Sequence, residues 1–495
     1  MPNPRQISRL GAGLAMSITL SRKVHQAEHR ANPFLNILNE TAKSEAQYPD
    51  LLQRAGIIWR ITNSILGAGV TLLRSIRYWP NAVRFSAPTR GAEVVIISHL
   101  TTTDHLANSD DFYMGKLAAS LKEAGYSTRT ILINHCRATD GDLKRSIRKN
   151  TVLLPAFLHP LAEVGLMFKM LLSAFSLPKF ATSAQAQQFR RNAQIAQLSS
   201  RAIGDMRIGS MISRIISAAP PKAIFYTYEG HGWERIMAAN AHSLSAEMKL
   251  LGYQHAVVFP GEKSINYAHG GGADPDHIFT AGTATKKILA KESEFPAGHY
   301  STLGSVKAAN ASSNISLTNF GQKSACLIAP EGTLSEVMIM AEMGMAAAKS
   351  DPEQAFILRL HPVLNREFII KKLAVLGAFP DNFTLSTASL EDDLAASSWL
   401  CYRGSTVAFQ AILRGLRPIY LDPDHQADAN DPIPTDISFR KFAALPSDLM
   451  RIITEDQQSG APALPEFQDA LAFAQNYVTP FKPSVLITYL KKIFP

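Results

Sequence analysis

A chain of 495 residues, 46% hydrophobic and 18% charged, is too long for one core of ordinary size and points to two large domains plus extras, at about 150 residues per domain. Its composition excludes global disorder, and a net charge of +9 from 50 Lys and Arg against 41 Asp and Glu favours anionic partners such as nucleotides or an acidic membrane surface. The basic residues are scattered and carry no nucleic-acid-binding signature, so no nucleic acid is expected. Cys136, Cys326 and Cys401 stand far apart, without the spacing of a disulfide framework or a zinc site, which fits a reducing compartment.

Residues 1–90 read as a helical N-terminal extension. Arg5 and Arg9 precede a mild stretch at 10–20 that lacks a cleavage site, so a cytoplasmic protein is expected, with contact at the inner face of the membrane left open. Ile57-Ile58-Trp59 and Leu72-Leu73 interleave with Arg60, Arg74, Arg77 and Trp79. That pattern fits either a basic amphipathic helix on anionic lipid or an apolar stripe packed on the first domain.

From Glu93 the rhythm changes. Val94-Val95-Ile96-Ile97 reads as a strand, followed by a polar loop carrying Asp104 and a helix over 111–124 stopped by Gly125. Further strands are expected at 130–133, 151–154 and Ala223–Thr227, and the alternation with helices implies a mostly parallel sheet in a domain over 91–299. Within it the apolar stretch 153–180 is broken by Pro155, Pro160, Glu163 and Lys169 before about 20 clean residues accumulate, so it does not span a bilayer. It forms either a helical hairpin at the membrane interface or a buried helix pair. A second α/β series occupies 300–465, with strands at Ala325–Ala329, 355–360, 399–402 and 418–421, and closing helices over 466–495 cross back to the first domain.

Ligands of open α/β sheets bind beyond the carboxyl ends of the strands, which selects the loops that carry chemistry. The strand AFILRLHP alternates Ile357, Arg359 and His361 onto one face, and Pro362 keeps His361 extended at the exit, placed to donate to a phosphate oxygen. In YRGST, Gly404 allows a tight turn and Ser405 and Thr406 sit where a helix N-terminus attracts phosphate. Gly332 and Thr333 repeat that logic after the strand Ala325–Ala329. In the first domain, the strand Ala223–Thr227 delivers YEGHGWE, in which Glu229 is the first candidate for a general base, with Glu234 and Asp104 behind it and His231 beside it. Gln254 and His255, in a GYQH segment read as opening a strand over 256–259, are candidate substrate contacts. No paired acidic arrangement suits a divalent cation, so neither a metal nor a cofactor is expected.

These motifs resemble GT-B glycosyltransferases of bacterial surface carbohydrate biosynthesis, in particular those using CMP-activated acidic sugars of the sialic acid and Kdo type. The family's acidic-Gly, His-Pro and Ser-Ser/Thr motifs match Glu229-Gly230, His361-Pro362 and Ser405-Thr406, in family order, within about 90–480. The resemblance implies two Rossmann-like domains facing a cleft, a nucleotide sugar as co-substrate and a surface polysaccharide or lipid-linked glycan as acceptor. It implies Glu229 as base, His361 at the donor phosphate and Ser405 with Thr406 holding that phosphate, in an inverting, metal-independent transfer. Tyr228 stands where relatives carry a second carboxylate, and Gln410 where many UDP-sugar enzymes carry a ribose-binding Glu. The competing readings are a UDP-sugar transferase, a CDP-polyol phosphotransferase and a non-catalytic membrane-associated nucleotide- or glycan-binding module.

Overall fold

The computed structural model describes residues 57–81, 91–147, 150–175, 197–198, 200–258, 265–266, 268, 270–308, 324–362, 364–423, 431–460 and 464–495. The extension at 1–56 and 82–90, and the end of the apolar stretch at 176–180, lie outside the described residues.

Two parallel sheets organise the chain. The first holds β1 (Val94–Leu100), β2 (Thr128–Asn134), β3 (Thr151–Leu153), β4 (Ala223–Thr227), β5 (Lys249–Gln254), β6 (His277–Thr280) and β7 (Tyr300–Thr302), in the spatial order β3-β2-β1-β4-β5-β6-β7. With it run the helices α1 (Ile57–Tyr78), α2 (Leu117–Glu123), α3 (Asp140–Lys144), α4 (Pro160–Phe175), α5 (Ser200–Ala218), α6 (Gly232–Leu244) and α7 (Thr283–Glu292). The second holds β8 (Ala325–Ala329), β9 (Phe356–Leu358), β10 (Phe383–Leu385), β11 (Ser397–Tyr402), β12 (Arg417–Leu421) and β13 (Lys441–Ala443), in the order β10-β9-β8-β11-β12-β13. Its helices are α8 (Leu334–Ser350), α9 (Arg366–Leu373), α10 (Leu390–Ala395), α11 (Val407–Ile412), α12 (Pro446–Ser459) and α13 (Leu464–Tyr477), and α14 (Pro483–Ile493) follows.

Strands covered on both faces read as continuous apolar runs, which is why AIFYT of β4 is buried throughout. Its alternate residues serve two cores. Ile224 and Tyr226 pack with Ile212 and Trp233, whereas Phe225 packs on the opposite face with Leu486 and Leu490 of α14. The C-terminal helix thus returns to the first domain, and each of its two fully buried leucines contributes roughly 1.5–3 kcal/mol relative to exposure. Two Rossmann-like domains with a returning C-terminal helix make up the GT-B architecture that the resemblance implied.

The return is fastened where the chain passes two glycines. A Cβ on Gly282 would lie 2.0 Å from the Tyr477 carbonyl oxygen, and one on Gly304 (φ +91°) 2.1 Å from that of Pro480. Backbone bonds run from Thr479 N to Ala281 O, Ser305 N to Thr479 O and Lys482 N to Leu303 O. Tyr477 stacks on Phe409 of the second domain, while its hydroxyl accepts from Val258 N of the first.

Three expectations are corrected. β7 pairs with β6, so the first domain runs past position 299. The GYQ of GYQH closes β5 instead of preceding a strand, and 256–258 are irregular. Gly252 fits inside β5 because a Cβ there would come within 3.0 Å of Tyr228 Cβ. The helix expected over 111–124 starts only at Leu117. Asp111 Oδ1 accepts from Tyr113 N, Met114 N and the Ser98 hydroxyl, and Gly115 takes φ +52°, so side-chain bonding holds a turn there in place of helix.

Candidate active site

Because β2, β1, β4 and β5 are successive neighbours and all parallel, their carboxyl ends lie side by side. This gathers His135, His99, Thr227, Glu229 and His255 from distant parts of the sequence. His99 Nδ1 is 2.8 Å from His135 Nε2, and His99 Nε2 is 2.8 Å from Thr227 Oγ1. The Tyr113 ring packs against His255 and His99, at 4.7 and 5.7 Å between centroids.

Beyond β4, Gly230 (φ +79°) turns the chain into α6. Glu234, in the first turn of that helix and 1% exposed, accepts from the backbone N–H groups of Glu229, Gly230 and His231 at 3.1, 2.8 and 3.0 Å. Glu234 is therefore corrected from candidate base to the group that shapes the loop, since it reaches back from the first turn of α6 to satisfy the N–H groups of the segment leading into the helix. Burial pushes its carboxyl up to about 7, against the nearby His231 charge.

Glu229 keeps its carboxylate for other partners. Oε2 lies 2.9 Å from His231 Nε2 and Oε1 lies 3.0 Å from His255 Nε2, with 31% of the side chain exposed. Burial works to raise its pKa, but the hydrogen bonds from His231 and His255 outweigh that and hold it well below the usual range. The opposite balance acts on His231. Burial works to lower it, yet the bond to Glu229 and the Glu234 and Glu229 charges raise it to about 9. His99 and His135 are both lowered, first by burial and then by neighbouring imidazoles, so both are neutral at pH 7. The edge thus holds an ionised Glu229–His231 pair next to two neutral imidazoles.

In the second sheet β9, β8 and β11 are likewise successive parallel neighbours, so the loops carrying His361, Gly332 and Ser405 lie side by side. Gly404 takes φ +68°, as its tight turn requires. Ser405 Oγ accepts from Val407 N at 3.3 Å, and Thr333 caps α8 by accepting from Glu336 N. His361 and Pro362 are exposed at the strand's exit. The expected alternation holds: Phe356 and Leu358 are buried, while Ile357 and Arg359 face the other side and are only half-buried. Arg359, however, directs Nη1 to the nearly buried Asp393 at 2.6 Å and to the Ala388 carbonyl at 2.8 Å. It thereby braces the neighbouring loop, because a buried carboxylate needs a counter-charge. Beneath the loops, buried Arg403 lies 3.7 Å from Glu336 and 3.9 Å from Asp422. Burial, assisted by the Glu336 charge, pushes Glu331 up to about 7.

Lys307 joins the two edges. It sits in a single helical turn, Val306–Ala308, just after the first sheet, and its Nζ donates to Thr406 Oγ1 at 3.2 Å. Burial lowers its pKa while the Glu229 charge opposes that, and its own cation, after burial, lowers His361. One ammonium therefore acts on Glu229 from one side and on His361 and Thr406 from the other. Of the remaining candidates, Gln254 is 1% exposed and its amide donates to the Ala256 carbonyl, so it holds its own loop. Asp104 is exposed in the turn Thr103–Ala107, near Cys136. Among the described residues, no group of three or more His, Cys, Asp or Glu is arranged to hold a metal ion.

Sequence reasoning missed His99, His135 and Lys307. The two histidines carry a weak signal, as polar residues at the exit of apolar strands, and Lys307 carries none. No family model matches the chain, and no curated protein matches it in sequence. Solved structures of similar overall shape include the calicheamicin glycosyltransferase CalG4, at 11% identity over 82% of this chain and 100% of that one, with a TM-score of 0.49. The UDP-GlcNAc 2-epimerase of Neisseria meningitidis bound to UDP-GlcNAc is 11% identical over 81% and 99%, at 0.48. A glycosyltransferase from Rickettsia africae is 10% identical over 81% and 97%, at 0.44.

Proposed function

We propose that the protein is an inverting glycosyltransferase that uses a nucleotide sugar, with a CMP-activated acidic sugar as donor and a surface polysaccharide or lipid-linked glycan as acceptor. The acceptor hydroxyl oxygen attacks the anomeric carbon and passes its proton to Glu229. The bond from the anomeric carbon to the phosphate oxygen breaks, and the nucleotide leaves with the electron pair. Such a step needs an ionised proton acceptor on one side and stabilisation of growing phosphate charge on the other.

The observation that carries this reading is Lys307, whose charge reaches Glu229 and His361 and whose ammonium bonds Thr406. A cation held between a carboxylate and a hydroxyl-bearing glycine loop suits a leaving phosphate. Because Glu229 is held low by His231 and His255, it is a weak base that stays ionised, effective once the attacking hydroxyl has become acidic late in bond formation. The neutral His99–His135 pair lies beside it to pass the proton onward.

Thermal unfolding in the presence of CMP, CDP, UMP, UDP and GDP tests the donor. Saturation at 100 times Kd stabilises by about 2.7 kcal/mol, readily seen as a rise in Tm. Selective stabilisation by CMP is expected. A larger rise with UDP would reassign the donor to a UDP sugar, and no rise with any nucleotide would overturn the reading.

A further inference from the structure

The helix α1 turns a run of large apolar residues outward. Its inward side carries fully buried Ser75 and half-buried Thr71, whose hydroxyls bond back to the helix's own carbonyls. Its outward side carries Ile65, Leu66, Val70, Leu73 and Ile76, each 45–68% exposed. Beside it, α4 buries Leu166, Met170 and Ala174, yet turns Leu161, Phe168, Leu172 and Phe175 to the outside at 61–76% exposure. The outward residues recur at the helical spacing of three and four, so they form a stripe and not isolated exposures. Contacts between Tyr78 and Phe157 (6.1 Å) and between Trp79 and His159 (4.7 Å) join the end of α1 to the segment that leads into α4, making one face.

Among the described residues of α1 and α4 the exposed charge has one sign. α1 contains no carboxylate, and the single one in α4, Glu163, is buried in a bidentate pair with Arg207. Arg74, Arg77 and Lys169 are exposed on or beside the stripes. A second copy seated here by twofold symmetry would set these cations against one another, with no exposed acid on either described helix to neutralise them. Phosphate-bearing lipid headgroups meet both requirements, accepting the apolar stripes below and pairing with the cations at the rim. Among the described residues no helix is long and apolar enough to cross a membrane, so the geometry is that of a surface resting on lipid.

We propose that the α1–α4 face docks on an anionic lipid bilayer. A cavity of about 210 Å³ opens at its edge, lined by Phe157, Arg137, Arg207 and His135. Arg137 also lies over the Tyr78 ring at 5.3 Å and donates to its hydroxyl. His135 is the partner of His99, so a bilayer on this face stands next to the histidine cluster. The docking does not depend on the proposed transfer chemistry, and each can fail without the other.

The test is flotation of the full-length protein with phosphatidylcholine vesicles, with and without phosphatidylglycerol. Binding to the anionic vesicles only, weakened by salt, is expected. Each cation removed costs about fivefold in affinity, so Arg74→Ser with Arg77→Ser costs about 25-fold. Phe168→Ser with Leu172→Ser should abolish binding while nucleotide-induced stabilisation is kept, because both side chains are exposed. Failure to bind anionic vesicles would overturn the proposal, as would binding indifferent to these substitutions but lost with Lys371→Ser and Lys372→Ser on α9. A concentration-dependent dimer dissolved by the same α1 and α4 substitutions would assign the face to a second copy and overturn it too.

Discussion

The carboxyl edges of the two sheets share a topology and differ in chemistry. At the first, titratable side chains bond to one another: His135 to His99, His99 to Thr227, and Glu229 to His231. At the second, glycine turns and hydroxyls line the surface, while the charged groups Arg359, Asp393, Arg403 and Asp422 are tied up beneath it. A bonded network of imidazoles and a carboxylate can hold and move protons. Loops of backbone N–H and hydroxyl groups can hold an anion. The same parallel arrangement thus supports two kinds of site, and the difference comes from what stands at the last residues of each strand and in the first few beyond it.

The largest expected effect follows from breaking the first edge. Glu229→Gln removes the proton acceptor and should lower turnover by about 10²–10⁴-fold, while nucleotide-induced stabilisation is retained. Loss of both together would show that the two edges are not separable. Next comes the link between them. Lys307→Met removes one charge-assisted bond to the phosphate region, so nucleotide affinity should fall by about tenfold. Because the Lys307 cation lowers His361, the His361 titration followed by NMR should move upward in the variant, and an unmoved titration would separate the two residues. The smallest effect is on stability. His231 is raised from 6.5 to about 9, so the folded state keeps a proton that the unfolded chain loses across that window. Its contribution is complete below pH 6.5 and is lost as pH rises towards 9. The Tm should fall over that range, and fall less steeply in Glu229→Gln, where His231 loses its charged partner.

Long apolar runs made β1, β4, β8, β11 and β12 legible in the sequence, because a buried parallel strand needs both faces covered. FTL of β10 and KFA of β13, three residues each at the two edges of the second sheet, were not, since their pairing depends on neighbours already in place. KLLGYQ of β5 was hidden by Lys249 at its start and by Gly252, which is needed only because Tyr228 packs against it. The same divide runs through the site. Glu229, His361 and Thr406 stood out because a glycine or proline marks the turn beside each. His99 and His135 acquire meaning only once β2 and β1 are known to be adjacent, and Lys307 only once two domains enclose it.

Gly282 and Gly304 leave no room for a side chain where the returning chain passes. The bonds of Ser305, Thr479 and Lys482 fix the outgoing and returning segments to each other. In mechanical terms this is a clamp: sliding the returning segment along that line, or pulling it away, would break backbone bonds. Lys307 lies two residues from Ser305, so the clamped segment is also the one that carries the ammonium bonded to Thr406.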